Sequence, residues 1–529
     1  MEQGWVPNVG VLGDGFRRVL VSSETEIKFA VEKGRKPSVM EGIGERACEP
    51  STYETIYFDT DNLALRRHRL ELCVRNRDGR LTQKMKARAK SGNVLACQSH
   101  EIVLSDLEPN LDHARAWLPP NIRDVISQSS LSARFRTSFS RISHQFKSDA
   151  CITRTSFDEG YIEATGQSEL ISEVEVKLRD GSLGSYTKQC LSFLDRVPAA
   201  LLVESKAERG YRLASGELPR VVKASHLAVP WNLPLPEAIL RILRHSFQHF
   251  LDNHPAVTLS GEPESIHQMR VAIRRLRSAI RMFSPVLRFE GANSLLESLK
   301  ALFAKLGEVR EADVFVGETL PCITQAGLGA RLESVLLRQI TAFRDHIYRE
   351  ARKELMSPEV ARLVVQLNDW IETGNWLKAD RPIDVLLVER SAEDFAVPRM
   401  RALYAKLLKQ GSKARNGTLD DWHRTRVAAK KLRYAGEPLF GALAPKIDAE
   451  RLSKQLSRLQ TSLGRLNDLQ TVTPFLARVR PYVQARSRRG FEAAEQFCRG
   501  WSVAAAAILV EHAEDAMEGF AKIGLDASA

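Results

Sequence analysis

The sequence predicts an α+β protein of two modules: a closed antiparallel β-barrel with flanking helices, then an all-α, duplicated helical bundle. Apolar residues alternate with period two from Ser22 to about Leu213, which is typical of strands. After a proline-rich stretch they recur every 3.6 residues, which is typical of helices. The 529 residues suffice for about three to four domains. The net charge of +12 predicts a polyanionic partner.

Changes of pattern set the predicted domain boundaries. Glycines and a lack of apolar periodicity predict a flexible N-terminus, and prolines predict a linker between the modules. A second proline-containing break divides the helical module into repeat halves. The predicted segments are a flexible terminus at 1–20, the barrel at 21–215, the linker at 216–236, and the helical module at 237–522, with repeat halves of about 237–373 and 399–522.

The cysteines and the apolar runs indicate the compartment. The chain has seven cysteines and no CxxC pair, so a disulfide framework or a zinc ribbon is not expected. No signal peptide is apparent, and the longest apolar run, Val503 to Val510, is too short to span a membrane. We therefore expect a cytoplasmic protein without a membrane partner.

The predicted strands carry charge of both signs on one face. Alternate strand residues share a face, so Glu24, Glu26 and Lys28 lie together, as do Glu173 and Glu175. Further faces of this type are predicted at Thr82, Lys84, Lys86, Arg88 and Lys90, and at Glu204, Lys206 and Glu208. They are either solvated outer faces of a sheet or the charged lumen of a barrel.

A charged lumen would suit phosphate chemistry. Carboxylates at this spacing can hold Mg²⁺ or Mn²⁺, and neighbouring Lys and Arg side chains can hold phosphate oxygens. Together they favour metal-assisted phosphoryl transfer to water, in which positioning and charge neutralisation supply most of the catalysis.

The charged strands resemble the CYTH domain, the triphosphate tunnel metalloenzyme family. Glu24-Thr-Glu26-Ile-Lys28 is similar to its opening ExExK motif, and an ordered set of motifs follows over about residues 22–213. That set is Tyr57-Phe-Asp59-Thr60, Leu65-Arg66, Asp78-Gly79-Arg80, Gln83-x-Met85-Lys86, Arg141, Asp158-x-Gly160, Glu173-x-Glu175 and Lys206 before Arg209-Gly210-Tyr211.

The resemblance implies roles for individual residues. It places Glu24, Glu26, Glu173 and Glu175 at the metal, with Glu24, Glu26 and Lys28 as catalytic residues. It assigns the triphosphate to Lys28, Arg75, Lys86, Arg141 and Lys206. It implies hydrolysis of a triphosphate, with inorganic triphosphate as the favoured substrate and Mg²⁺ or Mn²⁺ as cofactor.

Three residues depart from the family pattern. Cys73 stands where the family usually has an arginine, for which Arg77 on the same strand face is the predicted replacement. Arg154 and Lys177 are bases where acids are more usual. These departures motivate an alternative, a non-catalytic protein that binds triphosphate or polyphosphate. Organic-triphosphate or adenylate cyclase chemistry is a further alternative, because the same tunnel fold hosts it.

The helical module contains one basic motif twice. His267, Arg270, Arg274 and Arg277 fall within about 80° of arc on a helix, and Arg281 extends this stripe. The second copy, shifted by 156 residues, consists of His423, Arg426, Lys430 and Arg433. Leu306-Gly307 also returns, as Leu463-Gly464, which indicates a duplicated unit. Neither stripe has an interleaved carboxylate, which disfavours a face of surface salt bridges.

This half resembles the CHAD domain over about residues 237–520. The motifs that carry the resemblance are HxxRVAxRRLRxA at 267–279, HxxRVAxKKLRYA at 423–435 and the segment Leu306 to Val314. The resemblance implies binding of inorganic polyphosphate by both stripes. Nucleic acid is the less favoured partner, because Tyr434 is the only aromatic residue in the stripes for base stacking.

Overall fold

The structure of the protein is a computed structural model. It describes residues 20–43, 49–88, 93–118, 122–123, 130–287, 292–374, 376, 389–439 and 449–523. The chain divides into two compact units. The first comprises residues 1–220, 254–260 and 355–373, and the second comprises 221–253, 261–354 and 374–529.

The first unit is built on a closed antiparallel barrel, as predicted. The strands are β1 (Leu20–Ala30), β2 (Ser51–Thr60), β3 (Leu70–Arg77), β4 (Arg80–Arg88), β5 (Ala96–Val103), β6 (Leu131–Lys147), β7 (Cys151–Ala164), β8 (Gln167–Gly181) and β9 (Ala200–Leu201). Their order is β5-β4-β3-β2-β6-β7-β8-β1, and pairing of β1 with β5 closes the ring. The short β9 pairs with the end of β1.

Alternation along each strand separates an apolar outer face from a charged lumen. On β1, Ile27 and Phe29 are buried on the outside, where Phe29 stacks on Phe193 with ring centroids 5.7 Å apart. Glu26 and Lys28 point the other way, where Glu26 pairs with Lys28 on its own strand and with Lys86 on β4. Burial of the outer face against helices therefore directs these charges inward.

Helices cover the barrel and close part of its lumen. In this unit they are α1 (Lys36–Ile43), α2 (Ala64–Arg67), α3 (Leu111–Trp117), α4 (Leu183–Arg196) and α5 (Lys206–Ser215). The prediction that Glu204, Lys206 and Glu208 share a strand face is wrong, because Lys206 begins a helix. Ser205 and Glu208 form a capping box, with Ser205 N donating to Glu208 Oε2 at 2.7 Å. This local cap outweighs the alternating charge pattern.

The helix α5 packs on β6, β7 and β8 inside the apolar part of the lumen. The Tyr211 ring meets the Phe135 ring edge-on at 5.0 Å, and its hydroxyl donates to Asp59 Oδ2 at 3.0 Å. The Asp59 carboxylate is fully buried and also accepts from the backbone N–H groups of Leu65 and Arg66. One carboxylate thus fastens the helix to the barrel wall.

Gly210 is required for this packing. A Cβ at position 210 would overlap the Phe135 ring. We expect Gly210→Ala to lower the free energy of unfolding by about 2 kcal/mol, because overpacking outweighs the better helix propensity of alanine. Denaturant unfolding measures this. Gly184→Ala in α4 is the matched control, since its Cβ meets only Asp369 Oδ1 at 3.9 Å. Equal stability of the two variants would contradict the assigned packing.

The remaining helices confirm the all-α second half. They are α6 (Leu235–Leu259), α7 (Pro263–Met282), α8 (Ala292–Val314), α9 (Leu320–Gln325), α10 (Ala330–Leu355), α11 (Pro358–Glu372), α12 (Ala392–Arg415), α13 (Leu419–Gly436), α14 (Ala449–Val479) and α15 (Arg488–Ala521). In the second unit, α7 packs on α8 and on α13, and α13 packs on α14. None of the described helices is both long enough and apolar enough to cross a membrane.

The helix α11 lies in the first unit although it is remote in sequence from the barrel. It packs on α4 and β9. Thr187 Oγ1 donates to Asp369 Oδ1 at 3.1 Å, and Arg362 pairs with Asp195 at 2.6 Å. Its apolar residues, such as Val364 and Ile371, are buried.

Some predictions fall outside the described residues. These include the flexibility of residues 1–19, the side chains of Glu24 and Arg88, Lys90, and most of the break between the repeat halves. The backbone of Glu24 lies in β1, opposite Cys97 of β5. The six described cysteines, Cys73, Cys97, Cys151, Cys190, Cys322 and Cys498, are free thiols.

Candidate functional site

Three carboxylates surround one ammonium group in the lumen. Asp158 lies on β7, and Glu173 and Glu175 lie on β8, so that Asp158 is directly opposite Glu173. A carboxylate oxygen of each lies within 4.8 Å of the others. The Lys206 Nζ atom is 2.5 Å from oxygens of Asp158 and Glu173 and 3.2 Å from Glu175. All four side chains are buried.

Two arginines complete this acidic cluster. Arg141 on β6 binds Asp158 with two parallel contacts of 2.5 Å and reaches Glu175 at 2.9 Å. Arg209, one turn after Lys206 on α5, donates to Glu173 Oε2 at 2.8 Å. The capped start of α5 therefore delivers two bases to the same set of acids.

Glu26 is the centre of a second, more basic cluster. Its carboxylate is paired with Lys28 at 3.1 Å, with Lys177 at 3.0 Å and with Lys86. Lys177 also lies 3.7 Å from Glu175, and so connects the two clusters. The two clusters together contain six bases and four carboxylates.

The pairing fixes the charge states. Burial alone would raise the pKa of Glu26, but the three surrounding lysines hold it well below its usual range. The pKa of Glu175 is likewise held low by Lys206, Arg141 and Lys177 against the effect of burial. Burial would lower the pKa of Lys206, and its carboxylate partners raise it instead. Glu26, Glu175 and Lys206 are therefore ionised at neutral pH.

Aromatic rings support the remaining bases. The guanidinium carbons of Arg75, Arg77 and Arg141 lie 5.6, 5.6 and 5.3 Å from the centroid of the Tyr53 ring. Arg75 is buried at its Nε atom, which has no hydrogen-bond partner among the described residues. Such contacts attract cations while leaving guanidinium donors available for an anion.

The structure brings most of the predicted tunnel residues together. Glu26, Lys28, Lys86, Arg141, Glu173, Glu175 and Lys206 belong to the two clusters, and Arg75 and Arg77 share the Tyr53 ring. Arg77 is half-exposed and lies 3.7 Å from Asp78. Asp158 and Arg209 were not assigned a role from sequence, although both stand in the motifs of the ordered set.

The three departures from the family pattern take different places. The Cys73 thiol is buried opposite Tyr57, and burial raises its pKa to about 11. Arg154 donates to Ser143 Oγ at 3.3 Å and lies opposite Lys177 on the neighbouring strand. Two of the three therefore make one side of the lumen more basic.

The acidic cluster has the donor set of a hard divalent cation. Asp158, Glu173 and Glu175 offer oxygen ligands, which Mg²⁺ and Mn²⁺ prefer. Their oxygens already converge on one cation, the ammonium of Lys206. The residues fit such a metal, provided that Lys206 moves to another anion.

The second unit concentrates positive charge where α7 meets α13. Arg270 donates to the backbone oxygen of Phe303 at 2.5 Å, and its guanidinium lies 4.0 Å from the centroid of that ring. Arg274 donates to the Tyr434 hydroxyl at 2.9 Å. A Cβ at Gly307 would lie 2.6 Å from Arg270 Nη1, so this glycine of the repeated motif makes room for the guanidinium.

The central bases of the two stripes act on each other electrostatically. Burial, followed by repulsion from Arg426, Arg274 and Arg270, lowers the pKa of Lys430 to about 6. Burial and repulsion from Arg274 lower the pKa of Arg270 to about 9. Asp468 on α14 is the carboxylate that offsets part of this repulsion at Lys430. The cluster is thus short of negative charge.

The outer members of the stripes are placed differently. Arg277 lies 5.2 Å from the Phe303 ring centroid, and Arg281 is exposed at the end of α7. Burial, then repulsion from Arg310, lowers the pKa of His267 to about 4. His423 is exposed and lies 3.1 Å from Asn467, and Arg433 donates to Gln460 at 3.0 Å.

Comparison with known families and structures gives two matches along the chain. The CYTH domain model matches residues 22–192, and the CHAD domain model matches residues 241–477. The chain is similar to the CHAD domain of the plant Ricinus communis, with 28% identity over 56% of this chain and 96% of that one, and a TM-score of 0.47.

Two further solved structures are similar to parts of the chain. A Hippeastrum protein, described as an adenylyl cyclase candidate with a dominant triphosphatase activity, is 14% identical over 37% of this chain and 96% of its own, with a TM-score of 0.27. PptA from Streptomyces chartreusis is 16% identical over 55% of this chain and 99% of its own, with a TM-score of 0.36.

Proposed function

This chain joins a CYTH domain to a CHAD domain, and from that premise we propose that it hydrolyses inorganic triphosphate in the barrel with Mg²⁺ or Mn²⁺, and binds inorganic polyphosphate with the helical unit. The first part rests on the lumen, where six bases that are buried or largely buried contact four buried carboxylates. Excess buried base is favourable only with an anion that supplies the missing charge. Triphosphate is a linear anion that supplies this negative charge.

An exchange of partners would let the same residues bind both metal and triphosphate. With triphosphate in the lumen, Arg141, Lys206 and the lysines around Glu26 bind phosphate oxygens instead of carboxylates. Asp158, Glu173 and Glu175 are then free to hold the metal. When bound, the metal neutralises phosphate charge and lowers the pKa of water.

The chain's own residues supply orientation and charge in this scheme. Arg141 presents a fork of donors, a geometry that suits phosphate oxygens. Lys28 and Lys86 approach Glu26 from two strands and so can contact successive phosphates. The buried site excludes bulk water, which strengthens each of these interactions. Catalysis is then mainly positioning of the triphosphate against a water at its terminal phosphorus.

A phosphate-release assay tests the proposal. Purified protein is incubated with inorganic triphosphate, pyrophosphate or ATP, each with Mg²⁺, Mn²⁺ or a chelator. We expect release from triphosphate that requires a divalent metal and exceeds release from ATP. Equal release with the chelator would contradict the metal requirement, and preference for ATP would contradict the assigned substrate.

One observation favours the non-catalytic alternative. Lys177 and Lys206 each contact carboxylates that a metal would need, and Lys177 stands where the family more often has an acid. Tight triphosphate binding in calorimetry without phosphate release under any metal would support a binder. The same screen therefore separates the two functions.

The polyphosphate part of the proposal rests on the central cluster of the second unit. Arg270, Arg274, Arg426 and Lys430 repel one another, and Glu311 and Asp468 offset only part of this repulsion. A bound polyanion relieves this repulsion because it supplies the negative charge that the cluster lacks. A chain of phosphates also extends along both stripes, which a single phosphate cannot do.

Polyphosphate binding should strengthen as the pH falls from 8 towards 6. With a pKa of about 6, Lys430 is mainly neutral in the free protein at pH 8. A bound polyanion favours the charged amine and raises this pKa, so binding takes up a proton. By linkage, affinity rises as the pH falls towards the free pKa and then levels off. Calorimetry in buffers of different ionisation enthalpy measures the uptake.

The control for this effect uses a permanently charged side chain. In Lys430→Arg, the proton uptake should disappear and binding at pH 8 should be tighter than in the wild type. The histidines of the two stripes, His267 and His423, are replaced by asparagine in both proteins. An unchanged uptake in Lys430→Arg would show that another group titrates.

A further inference from the structure

The long helix α15 has buried residues towards both ends, whereas the residues of its middle are half-buried or exposed. Phe491 and Cys498 are buried before the middle of the helix, and Ala513 and Phe520 are buried after it. No residue in 499–512 is buried. Val503 is 74% exposed and Ile508 is 58% exposed, within a run without charged residues from Trp501 to Val510. An exposed run of apolar residues is a candidate interaction surface.

The exposed positions of this segment follow one side of the helix. They are Arg499, Gly500, Val503, Ala504, Ala507, Ile508, Glu511 and His512. Val503-Ala504 begins this apolar segment and Ala507-Ile508 ends it, so the β-branched residues are outermost and the alanines are central in either direction. When two copies of this face meet antiparallel, Val503 lies at the same height along the helix axis as Ile508 of the second copy, and Ala504 lies at the same height as Ala507. The small alanines in the centre allow close approach of the helices.

The flanking charges select the antiparallel arrangement. Arg499 precedes the apolar run and Glu511 follows it, so antiparallel pairing brings each arginine to a glutamate of the second copy. Parallel pairing would place like charges together. Neither side chain forms an ion pair with another described residue of its own chain. A self-complementary patch of this type is the basis of a twofold dimer.

We propose that the face of α15 formed by Arg499, Val503, Ala504, Ala507, Ile508 and Glu511 is the interface of a homodimer. Two identical helices cross antiparallel about the midpoint between Ala505 and Ala506. The occupant is a second copy of this chain, because the pattern of apolar residues and the pattern of charges both complement themselves.

Charge exchange tests the interface in the full-length protein. Sedimentation velocity should show a concentration-dependent dimer. Arg499→Glu and Glu511→Arg should each weaken dimerisation at least about tenfold, because each creates two like-charge contacts per dimer. An equimolar mixture of the two variants should restore the dimer, since both contacts are then between opposite charges. Arg499 and Glu511 lie about 18 Å apart along one helix and cannot pair within one chain. The restored contacts must therefore form between the two chains.

Two controls keep the outcome decisive. Arg458→Glu changes an exposed arginine of α14 outside the face and should leave the dimer unchanged. Val503→Glu alters a side chain that is mostly exposed, so the fold should persist by circular dichroism while dimerisation is lost. A wild-type protein that remains monomeric up to about 50 μM would overturn the proposal. So would a dimer that both charge reversals leave intact.

Discussion

Replacing Glu175 by glutamine should reduce phosphate release from inorganic triphosphate by about 100- to 1,000-fold, the cost typical of removing one charged group from a preorganised site. Glu175 contributes one of three converging carboxylates, and it also faces Lys206, Arg141 and Lys177. Glutamine keeps the size of the side chain and removes its charge. The loss should appear in kcat, with a higher concentration of metal needed for half-maximal rate.

The matched control lies on the neighbouring strand. Glu163 of β7 is half-exposed and pairs with Arg136 at 2.7 Å, away from the lumen clusters. Glu163→Gln should leave kcat and metal dependence unchanged. Circular dichroism and thermal unfolding exclude a general loss of fold in either variant. If Glu175→Gln retains full activity at low metal concentration, the acidic cluster does not hold the catalytic metal.

Polyphosphate binding should be lost when Arg270, Arg274, Arg426 and Lys430 are all replaced by glutamine. The structure places these four side chains in one repelling cluster, to which both halves of the duplication contribute. We expect affinity to fall at least about 100-fold at moderate salt. The slope of log affinity against log salt concentration should also become shallower, because fewer counterions are released.

A net-charge control separates the stripe from general attraction. Arg331, Arg338, Arg349 and Lys353 are exposed bases of α10, and their replacement by glutamine removes the same formal charge. This second quadruple variant should retain most of the affinity. Equal losses in the two variants would show that polyphosphate responds to net charge alone. Unchanged binding in the stripe variant would rule out the stripe.

The local alternation of apolar and charged residues was sufficient to predict much of the barrel. The alternation on β1 and β8 predicts both the strands and the side chains that face each other, because strand geometry is regular over such distances. Thus Glu26, Lys28, Glu173 and Glu175 meet as expected. The duplication of the helical unit could also be predicted, because a repeated motif is recognised from the sequence without information about packing.

Contacts between segments that are remote in sequence could not be predicted from the sequence. The Ser205 cap turns Lys206 into the first residue of a helix, and only the packing of that helix shows that Lys206 and Arg209 meet Asp158 and Glu173. Phe303 was missed for the same reason, because it reaches Arg270 from a different helix. Register and helix docking depend on the whole core, which a single motif does not encode.

The place of α11 limits how this protein could be divided or shortened. The helix is encoded inside the stretch that the CHAD model matches, yet it packs on α4 and β9 of the barrel unit. A truncation after residue 220 would retain every tunnel residue and still strip this cover from α4, exposing apolar surface. We therefore expect such a fragment to aggregate. The boundary between the two family matches therefore differs from the boundary between the two compact units.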